Sequence, residues 1–444
     1  MVGESLTPEV AVRYAGAFAA EAPPGPIVIT RDGRVSGRML AAVITGALKA
    51  AGRDVINADV AATPTVGVLV RELRAAGGLQ ISASHNPAPY NGFKLFSADG
   101  RVLPAAAGQR VLDRYRRGDA GWVAWNRLGS ARFVDDVIGR HKELALSIVD
   151  VDRIRRRRFH VLLDSNHGAG GALGRALLAE LNCVVTLLGA EPDGRFAHEP
   201  EPTAENLAGV LATVPTAHAD LGFCQDPDAD RLALVDERGR YLGEECTLAL
   251  AVEHALSGRA RALAPGASAR RTIVINCSTS RMSEDLAAKY GAPLVRSAVG
   301  EANVVDAMLA HNALLGGEGN GGVIHPDVVL VRDSFVAMAM TLDAMAARGA
   351  PLSALAAGLP RYEIVKTKIE LPPERVAPGL AALERRFSDA RADRLDGLRL
   401  DWPDKWLLVR ASNTEPVVRA IAEAPTAADA RALSDAAAEA LAET

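Results

Sequence analysis

His160-Val161-Leu162-Leu163-Asp164 runs straight into Ser165-Asn166-His167-Gly168-Ala169-Gly170 and then into an Ala/Leu-rich stretch. A short apolar run, closed by a polar glycine-bearing turn and followed by a helical pattern, is how a β-strand feeds an α-helix. The pattern occurs twice more. Pro26-Ile27-Val28-Ile29-Thr30 enters Arg31-Asp32-Gly33-Arg34 and a helical stretch through Met39-Leu40-Ala41-Ala42-Val43-Ile44, and Thr272-Ile273-Val274-Ile275-Asn276 does the same. Strands alternating with helices argue for α/β units with parallel or mixed sheets. Starts near 26, 160 and 272 predict three similar α/β modules, with no residue-level repeat between them. The tail differs. Lys368–Leu371, Leu398–Leu400, Trp406–Arg410 and Val417–Ile421 read as strands with helices between, which predicts a separate α+β domain. The expected domains are 1–147, 148–258, 259–365 and 366–444.

Bulk composition bounds the function. The 444 residues are 49% hydrophobic and 23% charged, which is ordinary globular composition with room for several cores. A formal net charge of -4 asks for neither nucleic acid nor a membrane surface. The basic run Arg153-Ile154-Arg155-Arg156-Arg157-Arg158 reads as a solvated face rather than a nucleic-acid patch. Cys183, Cys224, Cys246 and Cys277 lack the spacing of a zinc site or a disulfide framework and read as small core residues in a reducing compartment. No apolar run approaches the roughly 18 residues that span a membrane, and Glu4 and Glu9 interrupt any signal-peptide core. The cytoplasm is the expected location.

Four loops carry residues suited to chemistry. Ser82-Ala83-Ser84-His85-Asn86-Pro87, continuing to Tyr90-Asn91-Gly92-Phe93-Lys94, is a tight turn after Leu79-Gln80-Ile81. Ser84 there can be a nucleophile or phosphate carrier, and Lys94 can balance charge or move a proton. By itself the loop is equally a surface turn. Asp226-Pro227-Asp228-Ala229-Asp230-Arg231 sets three carboxylates at alternate positions, able to converge on one hard cation such as Mg²⁺, with Arg231 free to hold a phosphate oxygen. An EF-hand is the competitor, and Arg231 stands at its sixth position where that loop needs glycine. Gly316-Gly317-Glu318-Gly319-Asn320-Gly321-Gly322 lets backbone approach a ligand, while Glu318 and Asn320 suit vicinal hydroxyls. Arg410-Ala411-Ser412-Asn413-Thr414-Glu415-Pro416, with Arg419, supplies cations, hydroxyls and backbone N–H groups for a phosphate.

Together the four loops resemble, in order, those of the α-D-phosphohexomutase superfamily, from about Leu6 to Ala424. Arg31-Asp32-Gly33-Arg34, Pro192-Asp193-Gly194-Arg195-Phe196 with His198, and Ser297-Ala298-Val299-Gly300 support the match. The resemblance implies three α/β modules with mixed sheets and a C-terminal α+β lid domain around a central cleft. It implies that Ser84 is a phosphoserine, and that Asp226, Asp228 and Asp230 hold Mg²⁺ with the Ser84 phosphate. Arg231 and Lys94 then belong to the catalytic shell. Glu318 and Asn320 contact sugar hydroxyls, and Arg410, Ser412, Asn413, Thr414 and Arg419 grip the non-reacting phosphate. The implied reaction moves a phosphoryl group between C1 and C6 of a hexose or hexosamine. It passes through a sugar 1,6-bisphosphate that turns around in the cleft. The implied partner is a phosphosugar, with no nucleic acid and no membrane.

Three departures qualify the match. Gly322 stands where many members end the sugar loop with histidine, so the general base must be sought elsewhere: Lys94 first, then His85, then His325. Asn413 replaces a glycine, which with the sugar loop resembles the archaeal-type phosphoglucosamine mutase and phosphomannomutase branch. The chain also opens just past the point where a Gly-Thr-Ser-Gly-Ile-Arg-Gly-like strand is expected, so the recorded start is expected to be late or the chain truncated. The substrate leans to glucosamine phosphate. The alternatives are a phosphomannomutase or phosphoglucomutase, a phosphatase that releases its bisphosphate, and a non-catalytic sugar-phosphate-binding relative.

Overall fold

The computed structural model describes residues 1–258, 270–411 and 417–442. Three sheets share one plan. In the first, β1 (Ile27–Arg31), β2 (Val55–Val60), β3 (Gly77–Ile81), β4 (Phe93–Ser97) and β5 (Ala131–Phe133) run in the order β4-β3-β1-β2-β5. In the second, β6 (His160–Asp164), β7 (Val184–Leu188), β8 (Leu221–Gln225) and β9 (Leu232–Asp236) run β7-β6-β8-β9. In the third, β10 (Ile273–Asn276), β11 (Leu294–Ser297), β12 (Leu315–Glu318) and β13 (Gly322–Ile324) run β11-β10-β12-β13. Each time the first strand lies between two parallel neighbours, and an antiparallel strand follows at one side. The loop of that antiparallel pair leaves the carboxyl end of β3, β8 or β12. Such crevices are where open α/β sheets bind ligands. These equivalent loops carry Ser84, the Asp226–Asp230 run and Gly319–Gly321.

Strand alternation explains how the modules meet. Side chains of a strand point to opposite faces in turn. Val28 of β1, Val161 and Leu163 of β6, and Ile273 and Ile275 of β10 enter one continuous core. Their neighbours Ile27 and Ile29, Leu162, and Val274 enter three separate cores under each module's own helices. The shared core is built around the helix Ser334–Arg348, which is buried from Ser334 to Met345. A helix that is apolar all round belongs inside a protein. Two buried carboxylates belong to it, Asp343 within the helix and Asp333 at its N-terminus: Asp343 accepts from His254 (2.9 Å) and Arg153 (2.6 Å), and Asp333 pairs with His141 (2.7 Å). The arginine run is therefore partly structural, with Arg153 on Asp343 and Arg155 on Glu180 (2.5 Å).

The C-terminal sheet is antiparallel throughout, with β14 (Glu363–Glu370), β15 (Arg391–Asp393), β16 (Leu398–Asp401), β17 (Trp406–Ala411) and β18 (Val417–Ala424) in the order β14-β18-β17-β16-β15. Leu407 and Val409 pack into this domain's own core, while Trp406 and Leu408 face Cys277 of the third module. The Arg399 guanidinium stacks 4.1 Å over Trp406 and donates to the Cys277 carbonyl at 2.5 Å, and Arg296 bridges Glu284 and Asp401. All four cysteines are free thiols. Among the described residues no helix is long and apolar enough to cross a membrane.

Asp333 also caps the central helix by accepting the N–H groups of Phe335 (2.9 Å) and Val336 (3.3 Å). Asp333→Ala removes that cap and leaves a buried imidazole N–H unpaired. The two losses predict destabilisation by about 2–4 kcal/mol, read from denaturant unfolding.

Candidate active site

Ser84 sits on a loop whose shape is imposed from below. Its φ of 49° is left-handed, which costs a non-glycine residue roughly 1–2 kcal/mol. The buried Arg34 guanidinium offsets this by donating to four loop carbonyls: Ser84 and Asn86 at 2.6 Å, Pro87 at 2.8 Å and Tyr90 at 3.0 Å. Asp32 orients Arg34 (3.0 Å) and accepts from Ser82 (2.7 Å), whose hydroxyl oxygen accepts the Ser84 N–H (2.9 Å). Arg31-Asp32-Gly33-Arg34 is thus the scaffold of the serine loop, a role that its sequence alone did not disclose.

The serine meets the carboxylates of the second module. Ser84 Oγ donates to Asp226 Oδ2 at 2.8 Å. Asp226, Asp228 and Asp230 are all buried, and one oxygen from each can lie within 4.8 Å of the others, so the three could hold a metal ion. The donor set fits. Asp228 Oδ1 and Asp230 Oδ1 are buried acceptors with no hydrogen-bond partner, and hard oxygen ligands are what Mg²⁺ takes. The outer oxygens are already used: Asp228 Oδ2 accepts from Thr63 and from Lys94 Nζ (2.6 Å), and Asp230 Oδ2 accepts from Lys94 Nζ (2.7 Å) and Arg332 Nη2 (2.8 Å). Burial and the two neighbouring carboxylates push Asp226 well above the ordinary range. Burial also opposes ionisation of Asp228, but Lys94 and Thr63 outweigh it and hold that carboxyl low. The EF-hand alternative is excluded by β9, which carries Glu237 away from the triad to the Ser353 backbone N–H (3.2 Å).

These contacts reorder the candidate bases. Burial disfavours the Lys94 ammonium, yet Asp228 and Asp230 raise its pKa above the ordinary value, so Lys94 is held as a charged counter-ion, which disfavours it as the first-choice base. His85 is the better acceptor. Burial and the Arg231 guanidinium push it down to about 4, so it is neutral at pH 7, with Nδ1 at 3.5 Å from Ser84 Oγ. His325 is buried beside Asp327, whose N–H donates to its Nδ1 (3.3 Å), and contacts none of these groups.

A cleft of about 520 Å³ runs from His85 and Arg231 to the C-terminal sheet. Glu318 and Asn320 line it. Glu318 Oε1 accepts from Asn276 (2.7 Å) and the Gly300 N–H (3.2 Å), while Asn320 Oδ1 is buried without a partner. The opposite wall is basic. Arg410 and Arg419 face one another across β17 and β18, and Lys368 is the register partner of Arg419 on β14. With Lys366 they place four cations along one cleft wall. Like charges at paired positions repel, and an anion between them removes that cost. Asp396 orients Arg410 (3.1 Å). Ser412, Asn413 and Thr414 lie outside the described residues.

Comparison with known proteins agrees with this arrangement. Models of the phosphoglucomutase/phosphomannomutase family match in chain order: alpha/beta/alpha domain I over residues 1–121, domain II over 133–239, domain III over 246–362 and the C-terminal domain over 368–440. The chain belongs to the phosphoglucomutase/phosphomannomutase family. It is 36% identical to a phosphoglucomutase/phosphomannomutase of Thermococcus kodakarensis, covering 97% of this chain and 94% of the relative. It is 34% identical to a probable phosphoglucosamine mutase of Methanopyrus kandleri, covering 98% and 94%. A solved phosphoglucomutase/phosphomannomutase family protein of Burkholderia thailandensis superposes with a TM-score of 0.85 at 28% identity, covering 99% and 94%. The expected family and fold class are both borne out.

For this phosphoglucomutase/phosphomannomutase family member, residue reading alone missed several groups that line the cleft or contact the aspartates. Thr63, Asn276, Lys366 and Arg332 stand outside recognisable loops, and only the alternation Lys366-Thr367-Lys368 carried any signal, as two cations on one face of a strand. Glu244 and Glu245, at the start of the helix Glu244–Leu256, also line the cleft. Glu245 accepts the Ser280 N–H (3.0 Å). Burial pushes Glu245 up to about 8 against that hydrogen bond. The folded protein therefore keeps a proton on Glu245 that the unfolded chain loses above its own pKa of 4.5. The stability this gives is complete below pH 4.5 and is lost as pH rises toward 8 and beyond. Glu245→Gln has no proton to lose. Its Tm relative to the native protein should rise between about pH 5 and 8 in a series of thermal melts, then level off.

Proposed function

We propose that the protein is a Mg²⁺-dependent phosphohexose mutase that interconverts hexose or hexosamine 6-phosphate and 1-phosphate through phosphorylated Ser84 and a sugar 1,6-bisphosphate. The observation that carries this reading is Ser84 Oγ at 2.8 Å from Asp226, in the same group as Asp228 Oδ1 and Asp230 Oδ1, which have no hydrogen-bond partner. A serine on a strained turn against a metal-competent carboxylate group is built for phosphoryl transfer. Asp226, Asp228, Asp230 and the Ser84 phosphate would hold Mg²⁺, which neutralises phosphoryl charge so that a hydroxyl can approach.

The chain's own groups supply the rest. The substrate phosphate is gripped by Arg410, Arg419 and Lys366, with Ser412, Asn413 and Thr414 assigned to the same clamp. Glu318 and Asn320 orient the sugar by its hydroxyls. The free hydroxyl forms a bond to phosphorus as the bond to Ser84 Oγ breaks, and its proton passes to neutral His85 and on to the released Ser84 oxygen. Lys94 and Arg231 offset the developing negative charge. The bisphosphate then turns around, so that its other phosphate faces Ser84 and the transfer runs in reverse. This requires the domain at 366–444 to loosen and close as a lid. The other proposed domains span 1–147, 148–258 and 259–365, and the working compartment is the cytoplasm.

Among substrates, glucosamine phosphate is favoured over neutral hexose phosphates. Glu201, Glu244 and Glu318 line the cleft beside the protonated Glu245, and carboxyl oxygens there can accept from the N–H groups of an amino sugar. The test is a mutase assay with Mg²⁺ and a trace of sugar bisphosphate on the 1- and 6-phosphates of glucosamine, mannose and glucose. Ser84→Ala should lower turnover on the preferred sugar by more than about 1,000-fold while circular dichroism and Tm stay native. Near-native turnover in that variant overturns the mechanism, and binding without turnover in the native chain supports a non-catalytic sugar-phosphate-binding role instead.

A further inference from the structure

Arg332 belongs to none of the four loops. It follows β13 and precedes the central helix, and its side chain is 9% exposed. It touches carboxylates of two modules at once. Nη2 donates to Asp230 Oδ2 at 2.8 Å, Nη1 lies 3.0 Å from Glu318 Oε2, and Nε lies 3.4 Å from Glu301 Oε2. Glu301 also accepts the Arg332 backbone N–H at 2.8 Å, which pins the residue at its base.

The same side chain explains Gly322. A Cβ added at 322 would fall 2.3 Å from Arg332 Cδ and 2.8 Å from Cγ. Gly322 is not among the residues of positive φ, so no backbone conformation demands glycine there. The space is simply taken by the methylene stem of an arginine fixed at both ends. A side chain at 322 and the present pose of Arg332 exclude one another.

We propose that Arg332 is the positioning residue that couples the metal-binding loop to the sugar-binding loop, and that position 322 is kept free of a side chain to admit it. This rests on the reading of Asp230 as a metal ligand and Glu318 as a sugar contact. Arg332 and Lys94 occupy Asp230 Oδ2, which leaves Oδ1 with no hydrogen-bond partner and only the Arg231 Nε at 3.8 Å. Arg332 likewise occupies Glu318 Oε2, opposite the Asn276 bond to Oε1. A planar fork with several donors can hold both carboxylates in fixed orientation, whereas a lysine ammonium meets them only as a point charge. Displacing the fork therefore turns both carboxylates together.

The experiment compares native protein with Arg332→Lys, Gly322→Ala and the double variant. Mg²⁺ affinity is measured by calorimetry on the dephosphorylated protein, KM on the preferred sugar phosphate, and Tm alongside. Arg332→Lys keeps the charge and should raise both the Mg²⁺ Kd and KM by about tenfold or more, as groups behind metal ligands do. Gly322→Ala adds only a methyl group and should move both constants in the same direction. The double variant should be no worse than Arg332→Lys, because both changes remove one interaction. A fall in Tm with unchanged Kd and KM, or effects of the two substitutions that multiply, would overturn the coupling. Absence of mutase turnover in the native chain sinks the functional reading instead, and the Mg²⁺ affinities still decide whether Arg332 orients Asp230.

Discussion

Three carboxylates buried within reach of one another are the most expensive feature of this molecule. Asp226, Asp228 and Asp230 have lost water, and charge in such a place must be paired or neutralised. Their own loop supplies the Arg231 N–H to Asp226 (3.1 Å) and the Arg231 guanidinium 3.8 Å from Asp230, and the remaining partners come from elsewhere. Ser84, Thr63 and Lys94 arrive from the first module and Arg332 from the third. The chemistry of the triad is thus also the reason why the modules must be assembled with small tolerance. Thr63 opens a helix, Lys94 lies in β4, Arg332 precedes the central helix and Ser84 stands on the turn between β3 and β4.

The shared plan of the three sheets makes this convergence economical. One antiparallel pair per module presents its loop at the carboxyl end of a parallel strand, and the modules share a core about one buried helix. Similar scaffolds therefore aim three unlike loops, a serine turn, a carboxylate run and a glycine-rich turn, into one cleft. The C-terminal sheet completes the cleft with side chains of opposite sign. Its four cations, Lys366, Lys368, Arg410 and Arg419, stand along one wall of the cavity, where they suit an anionic group on a ligand.

Proton handling follows from the same field. Lys94 looks like a base when only its residue type is known. Placed between Asp228 and Asp230 it becomes a fixed cation. His85 looks incidental, yet burial and the Arg231 charge leave it neutral beside Ser84. Glu245, in the same cleft, is pushed the other way by burial. Three ionisable groups near one substrate thus take three different states, and environment rather than identity sorts them.

Much was legible in the sequence. The apolar runs at 26, 160 and 272 announced three α/β modules because strand and helix periodicities are local properties of the chain. The serine, carboxylate, glycine-rich and C-terminal loops were visible because turn residues and ligand types sit close together there. The roles of Arg34, Thr63 and Arg332 were not legible, since each acts on residues far away in the chain: Arg34 on the carbonyls of 84–90, Thr63 on Asp228, and Arg332 on Asp230. The sequence by itself determined which elements form and which residue types could bear phosphate, metal and sugar. Only the tertiary structure decided which oxygens stay open, which histidine is neutral and why residue 322 is glycine. Those properties depend on charge and excluded volume delivered across module boundaries, and no local pattern records them.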